Sequence, residues 1–234
     1  TDVPLEFAPE DNLRRPFKQE LYDLFLKLEF SKLIEKYGLS PTRQTEKKTE
    51  CTVTVEPITG EAQAAQLLEK WRQADHVTVY ALPDLAALSV QWDTGADTAR
   101  AAELQENTYG GDWQALLTVL FAADIRKVGH HIKDTMRALL ERGVDPKGYI
   151  FDTALAAYLL DATAGSYDLQ RLFVAYFNEE LPKPAQLEKD AFAPLGDTSA
   201  AWAAMHSYSS AVAALYDILP GRLREMDMTE LYET

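Results

Sequence analysis

KVGHHIKDTMRALLERGVDPKGYIFDTALAAYLLDATAGSYDLQRL, residues 127–172, is the stretch that decides the fold. It reads as a short strand, a turn at Gly129 and a helix ending at Gly143. YIFDTALAAYLLDATAG then gives a second short strand into a helix, with Asp152 or Thr153 near the cap. SYDLQRLFVAYF predicts a further helix. Strands alternating with helices are the pattern of an α/β layer structure.

Upstream, HVTVYAL (76–82) and LAALSVQW (85–92) are separated only by Pro83 and Asp84 and read as a hairpin. A hairpin among strand–helix units makes the sheet mixed rather than purely parallel. ARAAEL, further on, fits a third strand or a helical turn, because a short apolar run has no decisive period. Before the hairpin, Cys51, Val53 and Val55 alternate with Thr52 and Thr54 as in a strand. GEAQAAQLLEKWRQAD predicts a helix turning Ala64, Leu67, Leu68 and Trp71 inward, and DWQALLTVLFAAD one capped by Asp112. Downstream, ELPKPAQLEKDAFAPLG reads as a loop. TSAAWAAMHSYSSAVAALYDIL reads as a long alanine-rich helix with a break near Pro220.

The first fifty residues are chemically distinct. Pro4, Pro9 and Pro16 keep the start irregular, and FKQELYDLFLKLEFSKLIEKYGL then places Leu21, Leu24, Phe25, Leu28, Leu33 and Ile34 near helical spacing. Gly38 suits a C-terminal cap, with Pro41 beyond it. SPTRQTEKKTE, polar and without period, reads as a linker. The organisation expected is a helical connector and linker over 1–50 and an α/β domain over 51–234.

The composition excludes several classes. The 234 residues carry 23 basic and 37 acidic side chains, a net charge of −14, which argues against a surface that holds nucleic acid by charge alone. No apolar run reaches the roughly 18 residues of a membrane span, and TDVPLEFAPED lacks the pattern of a signal peptide. Cys51 is the single cysteine, so no internal disulfide forms, and a reduced, cytoplasmic setting is expected.

Local motifs carry little chemistry. Ser207, Ser209 and Ser210 lie near His206, but that spacing makes no triad without a third group and an oxyanion site. Gly110-Gly111 lacks the lysine of a phosphate loop. His130 and His131 are adjacent and face different ways, a poor metal pair. Arg126, Lys127, His130, His131 and Lys133 gather around one turn and are the candidate, weak DNA contacts.

Whole stretches carry a stronger signal. In residues 127–172 a KVG turn leads into a helix, then a strand bearing FDT, then AAYLLD and an AG-containing turn before another helix. That order resembles the core of the 3′–5′ exonuclease domain of bacterial DNA polymerase I (family A). LYDLFLKLEFSKLIEKYGL resembles the segment joining its 5′-nuclease region to the next domain. The resemblance implies a ribonuclease H-like mixed sheet flanked by helices. In active relatives it implies cleavage of DNA from the 3′ end with two Mg²⁺ ions, which in such sites steady the attacking and leaving oxygens. The partners implied are the polymerase and 5′-nuclease regions of a parent chain, and DNA, with no membrane.

The resemblance also implies a ligand set: an Asp-x-Glu pair on the first strand of the pattern, an Asp on the helix after the KVG turn, and a Tyr-x-x-x-Asp on a late helix. The pair falls on Tyr80 and Leu82, and the helix position on Thr135. Asp134 is one residue early, a rotation of roughly 100° on a helix. Tyr208 matches the tyrosine, but the position four residues on is Val212. Every carboxylate is missing and only the tyrosine is retained. A two-residue shift in alignment rescues one ligand, not four. The expectation is therefore a vestigial exonuclease-like domain that holds no cofactor or metal and serves as a structural module in DNA replication and repair. It is expected to fill the emptied site with packing. Two alternatives remain: a residual exonuclease using Asp84, Asp134, Asp152 or Asp161, and a DNA- or protein-binding module without chemistry.

Overall fold

The computed structural model describes residues 52–92, 98–183, 191–192 and 196–233, with positions 21, 24, 25, 30, 33, 36 and 37 of the first segment. Cys51, the linker, most of the connector helix and residues 184–190 lie outside the described residues. The chain divides into two compact units, Thr1–Thr45 and Glu46–Thr234. In the first, Leu21, Leu24, Phe25, Leu33 and Lys36 are helical, and the Phe25 ring meets those of Phe30 and Tyr37 at 6.1 and 6.3 Å.

The second unit is an α/β layer structure. Its strands are β1 (Thr52–Ile58), β2 (Val77–Ala81), β3 (Ala87–Trp92), β4 (Thr98–Gln105), β5 (Lys127–Gly129) and β6 (Tyr149–Asp152). They form one sheet in the order β1-β4-β3-β2-β5-β6. β3 runs antiparallel to both its neighbours, while β1–β4, β2–β5 and β5–β6 pair in parallel. The hairpin of the sequence reading is β2–β3, and it makes the sheet mixed. The ambiguous ARAAEL is strand: β4 is paired along both sides, so its backbone groups are satisfied by the ladders with β1 and β3.

The helices are α1 (Glu61–Gln73), α2 (Trp113–Leu120), α3 (Ile132–Glu141), α4 (Thr153–Leu160), α5 (Leu169–Phe177), α6 (Ser199–Glu225) and α7 (Thr229–Glu233). α1 buries the predicted Ala64, Leu67, Leu68 and Trp71, and Trp71 packs edge-on against Trp92 at 5.7 Å. Asp112 caps α2, its carboxylate accepting from the Ala115 N–H at 3.0 Å. α1 and α2 pack on the sheet face presented by Val77, Val79, Leu88, Val90 and Leu104. α4, α5 and α6 pack on the other, with Val128 and Phe151. Successive strand residues face opposite ways, and so the row Tyr80, Ser89, Glu103, paired across β2, β3 and β4, lies under α6.

One expectation is corrected. α6 does not break at Pro220 but runs through it to Glu225. Leu215 and Leu219 before the proline and Leu223 after it are all buried, and that continuous packing outweighs the one backbone bond a proline removes. On β1 the alternation is present, but its buried side chain is Ile58, and Val55 stays exposed. β1 is a sheet edge, incompletely covered.

Candidate functional site

The positions expected to mark the site converge beneath α6, apart from one. Tyr80 leaves β2 toward α6, where its ring lies 4.9 Å from that of Tyr208 at an angle of 48°. Val212, one turn further along α6, is fully buried in the same cluster as Tyr208, with Leu215, Phe173 and Val128. Leu82 is buried in the adjoining cluster with Ala87, Phe192, Trp202 and Met205, and Tyr80 packs against both clusters. Thr135 belongs to neither; it sits on α3 and shares a hydrogen bond with Tyr149.

The electrostatics follow from this packing. Burial, and next the neighbouring Tyr208, push the phenol of Tyr80 above its usual range. Burial also raises Tyr208, against the opposing hydrogen bond from Gln170. The Tyr208 hydroxyl is committed on both sides: it accepts from the Gln170 amide and donates to the Pro182 carbonyl at 2.9 Å. A divalent cation needs several oxygen ligands, chiefly carboxylates. Two aliphatic side chains, a threonine and a tyrosine packed on another ring do not fit one. Among the described residues no group of three or more His, Cys, Asp or Glu side chains converges on a common point.

The four displaced acids are spent locally. Asp84 accepts from the Ala86 N–H in the hairpin turn, and Asp161 accepts from the amide and hydroxyl of Thr163. Asp134 pairs with Arg137 at 3.3 Å on the exposed face of α3. Asp152 caps α4, accepting from Ala154 and Leu155, and also accepts from the N–H groups of His131 and Ile132 at 3.1 and 2.9 Å. Asp134 and Asp152 line an open cavity of about 260 Å³ with His131, Lys133, Tyr158 and Tyr167.

The basic cluster around Gly129 does not survive as one surface. Lys127 is fully buried, so the expectation that it touches phosphate is overturned. Its ammonium donates to the carbonyls of Leu120, Ala122 and Ile125 at 3.0, 2.9 and 2.6 Å. Burial lowers it to about 8. Gly148 leaves room for that ammonium, since a Cβ there would meet it at 2.7 Å. His130 is turned inward, its Nδ1 2.8 Å from the Thr153 hydroxyl. That hydroxyl donates to the Gly129 carbonyl, so the imidazole is the Nδ1–H tautomer. Its Nε2 is enclosed without a partner. Burial, and secondly His131, depress His130 to about 3. Arg126 pairs with Asp75 at 2.8 Å. His131 and Lys133 are the two members exposed beside the cavity.

One polar constellation escaped the sequence reading. Ser89 Oγ lies 3.1 Å from His206 Nδ1, and His206 Nε2 lies 2.8 Å from Glu103 Oε1. Ser209 joins at 3.0 Å from Ser89 Oγ, and the Gln91 amide donates to the His206 carbonyl and the Ser210 hydroxyl. Serine, histidine and carboxylate are thus in line, but Ser89 is fully buried and no substrate reaches its oxygen. The network fixes α6 against β3 and β4. Its one sequence signal was polar residues at inward positions of apolar strands.

A family model described as 3′-5′ exonuclease matches residues 55–219. The DNA polymerase I of Caldicellulosiruptor bescii is 24% identical over 182 residues, 77% of this chain and 20% of that protein. The chain thus spans about a fifth of the length of this curated relative. Among solved structures, the POL domain of Pol1 from M. smegmatis, in complex with DNA primer-template and dNTP, aligns with a TM-score of 0.59 and 24% identity, over 76% of this chain and 29% of that one. Brucella melitensis NrnC with bound Mg²⁺ aligns at 0.57 with 17% identity, over 78% and 87%. Escherichia coli RNase D, an exoribonuclease, aligns at 0.52 with 18% identity, over 76% and 50%. The mixed sheet and its flanking helices are therefore the ribonuclease H-like fold of these nucleases. The chain belongs to the 3′–5′ exonuclease family, as an exonuclease domain of the DNA polymerase I kind.

Proposed function

We propose that this is a non-catalytic, vestigial 3′–5′ exonuclease-like domain, a structural module that spaces a 5′-nuclease region from a polymerase region in a parent chain acting in DNA replication and repair. The observation that carries the reading is the apolar and aromatic packing of Tyr80, Leu82 and Val212 at positions where the family pattern sets carboxylates. A site closed in this way holds no Mg²⁺, and proofreading is absent from the domain. Likeness to a polymerase of which the chain spans only a fifth supports the parent-chain setting. No helix among the described residues is long and apolar enough to cross a membrane, and we place the parent protein in the cytoplasm.

The test is a 5′-labelled single strand incubated with the pure chain and Mg²⁺ or Mn²⁺. The expected result is an unchanged strand. Shortening from the 3′ end that a chelator abolishes overturns the proposal in favour of a residual exonuclease using displaced acids. Isolated, the domain binds DNA weakly or not at all, because Lys127 and His130 are withdrawn from the surface and Arg126 is paired. Salt-dependent capture of single-stranded DNA would point instead to a binding module.

A further inference from the structure

The C-terminal helix α7 (Thr229–Glu233) is attached unusually. None of its residues is fully buried, and Leu231 and, in the joint before it, Met226 are exposed. The joint between α6 and α7 holds Asp227 in the left-handed region at φ 55°, a conformation that costs a non-glycine residue energy. Tyr232 ties α7 to the sheet. Its ring stacks on Phe151 of β6 at 4.8 Å and 29°, and its hydroxyl accepts the Asp152 backbone N–H at 2.6 Å.

Asp152 ends β6, an edge of the sheet, so its outward N–H has no strand to pair with. The same residue's carboxylate holds the first turn of α4 and the N–H groups of His131 and Ile132 where α3 begins. His131 itself lies in the left-handed region at φ 50°, and nothing else on its own helix start caps it. One residue therefore joins the tyrosine on one side to the cavity wall of His131, Lys133 and Asp134 on the other. We propose that α7 is a hinged latch, and that Tyr232, through Asp152, is a positioning residue for the His131 turn and the cavity it lines. A pull on α7, as from a segment or partner attached there, is transmitted to that cavity. This inference stands on hydrogen bonds and does not depend on whether the domain is catalytic.

Residue-resolved hydrogen exchange on the intact chain tests it, because exchange reports local opening. Tyr232→Phe keeps the ring stack and removes the hydroxyl. The expected result is about fivefold to tenfold faster exchange at the Asp152 amide, the scale of one lost hydrogen bond, with faster exchange also at His131 and Ile132. A chain ending at Met228 gives the same pattern, and Leu231→Ala does not. Acceleration confined to Asp152 overturns the relay. Equal acceleration across β2 and β3 overturns it too, since Tyr232 would then contribute only to overall stability.

Discussion

The rings of Tyr80 and Tyr208 pack 4.9 Å apart at 48°. The contact ties the centre of the sheet to the middle of α6. The packing there is continuous, with Val212 and Leu82 filling the flanks.

Placing a carboxylate in this packing should therefore cost stability. Val212→Asp places a carboxyl where the wild-type side chain has no exposure, with no partner to offset its desolvation. The loss expected is about 3 kcal/mol or more, read as a fall in the urea midpoint. A variant within about 0.5 kcal/mol of wild type would mean that the pocket is wetter than its packing implies.

Tyr208→Phe separates the hydroxyl of this tyrosine from its ring. The hydroxyl bridges Gln170 and the Pro182 carbonyl, and its removal should cost about 1 kcal/mol. Thermal unfolding measures the loss. Local exchange should rise around residues 170 and 182 and leave β3 unchanged.

Lys127→Met keeps most of the buried stem and withdraws the donor from three carbonyls. Orphaned buried acceptors and a lost charge-assisted cap predict destabilisation of about 2–4 kcal/mol, measured by denaturant unfolding. The effect on any DNA binding should follow stability alone, because the ammonium never reaches solvent.

His130 predicts acid sensitivity. Its folded-state value of about 3 lies below the ordinary 6.5, because burial, and secondly His131, disfavour the charged imidazolium. Over that interval the unfolded chain binds more protons than the folded one. Stability from this group is whole above pH 6.5 and drains away as pH falls toward 3. His130→Leu should flatten the stability profile between those limits, leaving the part due to carboxylates. An unchanged slope in equilibrium unfolding from pH 6.5 to 4 would exclude the histidine as its source.

Glu103 and His206 should be energetically coupled. They sit 2.8 Å apart and largely enclosed, and His206 also meets Ser89. A double-mutant cycle on Glu103→Gln and His206→Gln should return a coupling of about 1 kcal/mol or more, obtained from four unfolding curves. Additive effects would show that the two residues act separately.

Local chemistry made much of this fold legible. The period of Ala64, Leu67, Leu68 and Trp71 and the carboxylates of Asp112 and Asp152 signal their elements from within a few residues, and the structure agrees. ARAAEL was ambiguous because what makes it a strand lies elsewhere, in the partners on either side. Pro220 misled because its local cost is overridden by leucines packed on the core. The charge of Lys127 points to a surface position, but its long apolar stem lets the ammonium reach three carbonyls inward. The Ser89–His206–Glu103 line was out of reach, since its members stand 117 and 103 positions apart and no spacing rule connects them. Tyr80, Leu82 and Val212 do come together under α6, while Thr135 stands apart.

The two margins of the sheet are finished differently. On β1 the outer strand carries Pro57, which has no N–H to offer a newcomer. On β6 the last amide is already taken by Tyr232. Open strand edges are templates for growth into larger assemblies. Pro57 removes one donor from β1 and Tyr232 occupies one amide of β6, so each margin of the six-stranded sheet has one donor fewer to offer. On the β6 margin that donor is withheld by a single side chain, so losing the Tyr232 hydroxyl would return it to the edge.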